Sequence, residues 1–260
     1  MYSVAIHQDG EEYYFGLSAT KSDDVLGVFQ ELAKGANAKQ QLKSVIDSPR
    51  INDILKNSTK NSFYSCTSNF TIIPASFFEP LNMDTIARAA FPIKKTDRLL
   101  SKFIPEIDGH IVYSISEEEI SILKSNVNHL DFSHHFASLI SMYCLYYAKE
   151  QVKTVFIQYH HKKFTLALFD GKQLMQFNVF DIRSFEDIIY YTYYTMEQFE
   201  FSPQDSVIHV GGKYKKSAAV LTILQRYTNS IFHLKPTCCS NLPEKQMDAI
   251  INTTFDLKCG

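Results

Sequence analysis

Between Lys153 and Leu234 the hydrophobic period of the chain changes twice, and few architectures accept the order in which it does so. KTVFIQYH, FTLALFDG and LMQFNVF read as three strands, and the links between them, HHKK at His160–Lys163 and the turn at Gly171, are only a few residues long. Strands joined that closely run antiparallel. The pattern then lengthens to the helical SFEDIIYYTYYTMEQFEF, with Ser184 placed to cap it and Glu186 and Asp187 in the first turn, where carboxylates are favoured. A strand SVIHV, the pair Gly211–Gly212, a helix KKSAAVLTILQRY, a strand SIFHL and a short helix in NLPEKQMDAIINTTF follow. Strands that alternate with helices need crossovers, so the segment as a whole asks for a mixed sheet with helices packed on it.

The first half repeats this order in looser form. SVAIHQ and EYYFGLSA alternate on either side of Asp9–Gly10, a strong hairpin signal. VLGVFQELA fits a strand or a helix, and AKQQLKSVIDSPRINDILKN is a polar helical pattern broken near Pro49. FYSCTSNFTIIPASFF reads as two short strands around Ser68–Asn69. A short helix is expected over Pro80–Ala90, with Asn82 as cap and Asp84 in its first turn. FPIKKTDRLLSKFIPEIDG reads as irregular. GHIVYSI is a strand, and SEEEISILKSN is a helix with Ser116 as cap and Glu119 at the capping-box position. HLDF is a strand, and Ser133 is placed to cap a helix over HHFASLISMYCLYYAKE. The fold class expected is therefore α/β with mixed α+β sheets, in two similar halves, residues 1–132 and 133–260.

Composition narrows the function classes. With 260 residues and 45% hydrophobic content the chain can bury a substantial core. A net charge of −2 with no basic face gives no footprint for nucleic acid. The N-terminal MYSVAIHQDGEEYY lacks the plan of a signal peptide, and no uncharged apolar run reaches spanning length, so membrane insertion is not expected. Cys66, Cys144, Cys238, Cys239 and Cys259 form no CxxC pair and read as reduced thiols, which fits a cytoplasmic protein. Tyr and Phe are abundant, 15 and 20, while Trp is absent. Most of these rings belong in a core. Tyr190, Tyr191, Tyr193 and Tyr194 nevertheless go around their helix and cannot all face one side, so some are left for a partner.

These patterns carry a resemblance. The C-terminal half, with VFIQYHHKKFTLALFDG and VIHVGGKYKKSAAVLTIL, resembles the second domain of the actin-like ATPase superfamily, which includes Hsp70, sugar kinases and pilus-assembly proteins of the PilM type. The chain as a whole is similar to the domain-of-unknown-function family 3822, through NFTIIPASFF, LMQFNVF before FEDIIYYTYYTMEQFEF, and the VGG strand end. The resemblance implies two actin-like, ribonuclease H-like halves facing a cleft. It also implies three loops around a nucleotide: two phosphate hairpins, at Asp9–Gly10 and at Gln158–His160, and an adenosine loop at Gly211, Gly212 and Lys213.

The residues present at those loops fit the chemistry unevenly. A phosphate loop needs an acid for magnesium and water, and a glycine with a hydroxyl in the turn so that backbone N–H groups reach phosphate oxygens. Asp9–Gly10 is followed by Glu11 and Glu12, whose charges would repel a triphosphate, and a plain type I′ turn accounts for it. In the second hairpin the expected acid falls on Gln158 and the expected glycine on His160, and the HHKK tip reads as a solvated turn. Gly211–Gly212 is the best kept of the three. Lys213, Lys215 and Lys216 stand in the first turn of the helix that follows, where cations are disfavoured unless an anion binds. Solvated lysines beside a positive-φ turn explain it as well.

No metal set is expected. His134 and His135 are adjacent and do not share a helix face, and His7, His160, His161 and His209 are scattered along the chain. The sequence thus points to a non-catalytic actin-like protein with degenerate phosphate loops, without cofactor, that binds an unknown protein partner or itself. The alternative is an ATPase or small-molecule kinase using ATP and magnesium in the inter-domain cleft, with Asp9, Asp170 or Asp181 supplying the metal contact.

Overall fold

Alternating side chains set the first sheet. In β1 (Tyr2–Asp9) Val4 and Ile6 point to one face and Ala5 and His7 to the other. β2 (Glu12–Ala19) returns antiparallel, pairing Ile6 with Phe15 and Gln8 with Tyr13, so Tyr13 and Phe15 join Val4 and Ile6. The computed structural model describes residues 1–20, 25–212 and 214–234. Within them the chain forms two compact units, divided after Ser141.

In the first unit β3 (Val25–Leu32), β4 (Lys60–Ser65) and β8 (Leu130–His134) complete a five-stranded sheet of order β3-β2-β1-β4-β8. Its first three strands are antiparallel, and β1, β4 and β8 are parallel. The apolar face packs under α1 (Ala38–Ile46), α2 (Pro49–Asn57) and α4 (Glu117–Asn126), which supply Leu42, Val45, Ile46, Ile51, Leu55, Ile120 and Leu123 to the core. Ser116 caps α4 by accepting from the Glu118 N–H, and Pro49 opens α2, where its missing N–H is not needed.

A second, three-stranded antiparallel sheet, β5-β7-β6, lies in the same unit, built from β5 (Phe70–Pro74), β6 (Asp97–Ile104) and β7 (Gly109–Ser116). It packs on α3 (Met83–Ala90) through Ile73, Ala87, Phe91 and Val112. Asn82 stands at the cap position of α3 but makes no side-chain cap bond. The stretch expected to be irregular holds β6, which bonds to β7 along its whole length. Its own alternation is weak, and pairing with the buried β7 decides it. α5 (His135–Met142) starts one residue past β8, so Ser133 lies within the strand and does not cap the helix.

The second unit repeats the sheet. β9 (Lys153–His160), β10 (Lys163–Asp170), β11 (Gln173–Asp181), β12 (Val207–Gly211) and β13 (Ser230–His233) take the order β11-β10-β9-β12-β13. Again three strands are antiparallel, and β9, β12 and β13 are parallel. α6 (Phe185–Gln198) and α7 (Ser217–Leu224) cover one face with Ile188, Met196, Val220 and Leu224. Ser184 and Asp187 form a reciprocal capping box at the start of α6, the Ser184 N–H donating to Asp187 Oδ2 at 2.7 Å. The short helix expected in NLPEKQMDAIINTTF, with Cys238, Cys239 and Cys259, lies outside the described residues.

Candidate functional site

In each unit the strands that run parallel end together, and open α/β sheets bind ligands at such ends. In the second unit these ends belong to β9 and β12, which carry Gln158, His160 and Gly211. Gly211 pairs with Gln158. A Cβ on Gly211 would collide with the Gln158 side-chain oxygen and come within 2.9 Å of Leu234 Cδ1. Gly212 has φ of 80°, and a Cβ there would run into the Tyr159 carbonyl oxygen and lie 3.0 Å from the Tyr159 nitrogen. The double glycine therefore lets β12 leave the sheet hard against the backbone of β9. Lys213 lies outside the described residues. Lys215 and Lys216 precede α7 and do not stand in its first turn: the helix begins at Ser217, with Lys216 at its cap. The Lys216 ammonium rests over the Phe185 ring, 5.5 Å from its centroid.

The hairpin tip next to this site is the two-residue link His161–Lys162, with His160 paired to Lys163. Gln158 and His160 are buried, and His160 Nε2 lies 3.5 Å from Thr165 Oγ1. Of the acids considered for metal, Asp170 pairs with Lys153, at the opposite end of the sheet from Gly211. Asp181 lies at the same end as His160, exposed, in an ion pair with Lys163 at 3.7 Å.

His209 sits on β12 among rings: Phe156 stacks on it at 5.2 Å and 13°, Tyr147 meets it edge-on, and Phe232 is tilted against it. Burial, with Lys149 nearby, pushes its pKa down from 6.5 to about 4. Between those values the unfolded chain takes up a proton that folded His209 refuses, so this residue lowers stability as pH falls from 6.5 towards 4. A His209→Phe variant should lose that part of the acid sensitivity, roughly 1–2 kcal/mol after discounting its partial exposure. Urea unfolding of both proteins at neutral pH and near pH 4 measures it.

In the first unit Asp9 and Glu12 close the β1–β2 hairpin as a pair, leaving Gly10 and Glu11 as a two-residue loop. Gly10 takes φ of 61° and Glu11 is not in the positive-φ region, the pattern of a type II′ turn and not the type I′ turn expected. The Tyr14 hydroxyl donates to the Glu12 carboxylate. Burial and that carboxylate hold the Tyr14 pKa far above the usual phenol value.

Gln8 and Gly10 line a cavity of about 490 Å³, together with Cys66, Asn69, Asp97 and Glu119. Lys39 and Glu118 form an ion pair on its wall. Burial raises the Glu119 carboxyl above the usual range, the bond from the Ser116 backbone opposes this, and Asp97 adds to it.

The same strand ends bring together a set that the sequence hides. His7 is fully buried and pairs across β4 with Tyr64, which pairs with Ser133 on β8. Cys66, the residue just past β4, and His135, the first residue of α5, come against His7 at that end of the sheet. Cys66 Sγ lies 3.4 Å from His7 Nε2, the His7 and His135 rings meet edge-on at 4.3 Å, and one ligand atom from each of the three lies within 4.8 Å of the others. His134, expected to stand beside His135 at a helix start, instead ends β8, with its Nε2 3.1 Å from the Thr67 carbonyl oxygen. No spacing rule finds this trio, because the pairing of three strands places it.

Two sheets of one strand order, each with three antiparallel strands and two more parallel to the third of them, define a protein of the actin-like ATPase fold. A Bacteroides thetaiotaomicron VPI-5482 protein with actin-like ATPase fold and unknown function superposes with a TM-score of 0.87 at 16% identity, over 100% of this chain and 96% of that one. Residues 2–231 match the family described as Protein of unknown function (DUF3822), and the chain belongs to that family.

The fold is shared with a PilM–PilN type IV pilus biogenesis complex, at TM-score 0.66 and 10% identity over 99% of this chain and 98% of that one. It is also shared with the ethanolamine utilization protein EutJ from Carboxydothermus hydrogenoformans, at TM-score 0.50 and 8% identity over 100% and 90% of the two chains. No curated protein matches the sequence. Among the described residues no helix is long and apolar enough to cross a membrane.

Proposed function

We propose that this chain is a binding or scaffold module that keeps the actin-like fold and has given up phosphoryl transfer. The observation that carries this reading is the Gly211–Gly212 turn, whose open space is taken up by Gln158, Tyr159 and Leu234 of its own unit. Glycines that serve backbone packing need no nucleotide to account for them. The phosphate hairpins support the same reading. Gln158 and His160 stand where an acid and a glycine are needed, and in the first unit Asp97, Glu118 and Glu119 outnumber Lys39 and Lys94 on the cavity beside Gly10. Phosphoryl transfer is positioning and charge stabilisation, and this arrangement supplies neither.

The partner in this reading is a protein that docks on the aromatic side of α6. Tyr190 and Tyr194 are 60% and 49% exposed, and their rings stack at 5.6 Å. Beside them Tyr193, Glu197, Phe201, Pro203 and Tyr227 line an apolar hollow of about 440 Å³. Tyrosines bring large rigid contact area at low entropic cost, which suits a protein interface.

Isothermal titration with ATP and magnesium, followed by a phosphate-release assay, tests the loss of nucleotide chemistry. The expected result is no micromolar binding and no turnover. Micromolar binding with measurable hydrolysis would overturn it and favour the kinase or ATPase alternative.

A further inference from the structure

We propose that His7, Cys66 and His135 form a zinc site at the carboxyl ends of β1, β4 and β8. The inference does not depend on the binding-module reading, because His7, Cys66 and His135 play no part in that reading, although Cys66 opens on the same cavity beside Gly10. One pair of the three already has the spacing of a filled site. Zinc at about 2.3 Å from sulfur and about 2.05 Å from nitrogen, in tetrahedral array, holds S and N about 3.6 Å apart. Cys66 Sγ and His7 Nε2 are already 3.4 Å apart, and an atom of His135 completes a set within 4.8 Å. The His135 atom, within 4.8 Å, has to close by up to roughly 1.2–1.4 Å to reach the tetrahedral spacing, a movement that rotation of a side chain supplies.

The donors choose the metal. One thiol and two imidazoles suit zinc, whereas magnesium and calcium need oxygen ligands that this trio does not offer. His7 and His135 are both fully buried and packed edge-on, away from the apolar core that Val4, Ile6 and Phe63 form on the opposite face of the sheet. The two imidazoles therefore bring ring nitrogens to the same small space beside the Cys66 thiol.

Cys66 is half-buried and lines the 490 Å³ cavity, which gives the ion a way in. Three protein ligands leave a fourth position for water or for a small molecule held in that cavity, the coordination pattern of reactive rather than purely structural zinc sites. Zinc binds the thiolate, so Cys66 releases its proton to solvent as the ion is taken up.

The test uses the full chain, without a polyhistidine tag, stripped of metal by a chelator and titrated with zinc chloride against a chromogenic competitor. Cobalt chloride serves as a second probe, because a thiolate–cobalt bond gives a charge-transfer absorption band. One zinc per chain with sub-micromolar affinity is expected, with that band present in the cobalt form. His7 and His135 are fully buried, so changing them risks unfolding, and Cys66→Ser carries the test at a half-buried position.

The variant should keep its circular dichroism spectrum, lose the band and bind zinc more weakly by at least the roughly 10–100-fold that loss of even an outer-shell partner costs. Failure of the unaltered protein to take up zinc at micromolar concentration overturns the proposal. So does a band or an affinity that persists in Cys66→Ser, which would assign the metal to other thiols such as Cys238, Cys239 or Cys259.

Discussion

Replacing Gly212 by Ala should destabilise the protein by about 2–5 kcal/mol in the absence of any nucleotide. Two effects add. Gly212 sits at φ of 80°, where an L-residue with a Cβ loses roughly 1–2 kcal/mol relative to glycine. The added methyl also meets the Tyr159 carbonyl oxygen and lies 3.0 Å from the Tyr159 nitrogen. Both are backbone atoms of the central strand β9 and cannot swing aside as a side-chain end can, so overpacking contributes about a further 1–3 kcal/mol. Denaturant unfolding without ligand reads the loss directly. A glycine free of contact with β9 would cost only the φ strain, roughly 1–2 kcal/mol. A loss no larger than that would therefore remove the main support for the packing account.

A comparable loss, about 3–5 kcal/mol, is expected for Phe156→Ala. Phe156 is fully buried on β9, and its ring lies between two others, stacked on Tyr143 at 4.0 Å and 11° and on His209 at 5.2 Å and 13°. Phe169 meets its edge at 5.5 Å. Removing the ring opens a cavity under three aromatic neighbours at once, and rigid rings collapse into such space poorly. Phe232, on the edge strand β13 and 53% exposed, is the matched control, and its Ala variant should cost well under half as much. Urea midpoints of the two variants give the comparison. Equal losses would mean that neither the full burial of Phe156 nor the stack around it adds to its contribution.

Where the sequence reads well, the cause is local. Ser184 and Asp187 satisfy each other's backbone groups three residues apart, and Ser116 does the same for α4, so both helix starts are legible from a few letters. The hairpins at Gly10 and Gly171 follow from alternation broken by a residue that accepts positive φ. Errors arise where distant chain decides. β6 reads as irregular because Arg98, Ser101 and Lys102 break its alternation, and only the buried strand β7 makes it a strand. The lysines after Gly212 look like a first helical turn, but Lys216 stops short of α7 and rests on Phe185.

The candidate sites divide along the same line. Sequence alone places Gly211–Gly212 at the end of a strand, because a double glycine after an apolar run has few other uses, but the helix beyond starts only at Ser217. It cannot say what fills the space a Cβ would take, since the answer, Tyr159, belongs to a neighbouring strand. The trio at the other sheet is wholly tertiary. His7 and Cys66 are 59 residues apart, and neither they nor His135 sit in a ligand spacing. They meet because burying Val4, Ile6, Phe63 and Phe132 on one face sets the register of three parallel strands. That register brings the ends of β1, β4 and β8 together, and Cys66, just past β4, and His135, at the start of α5, meet His7 there.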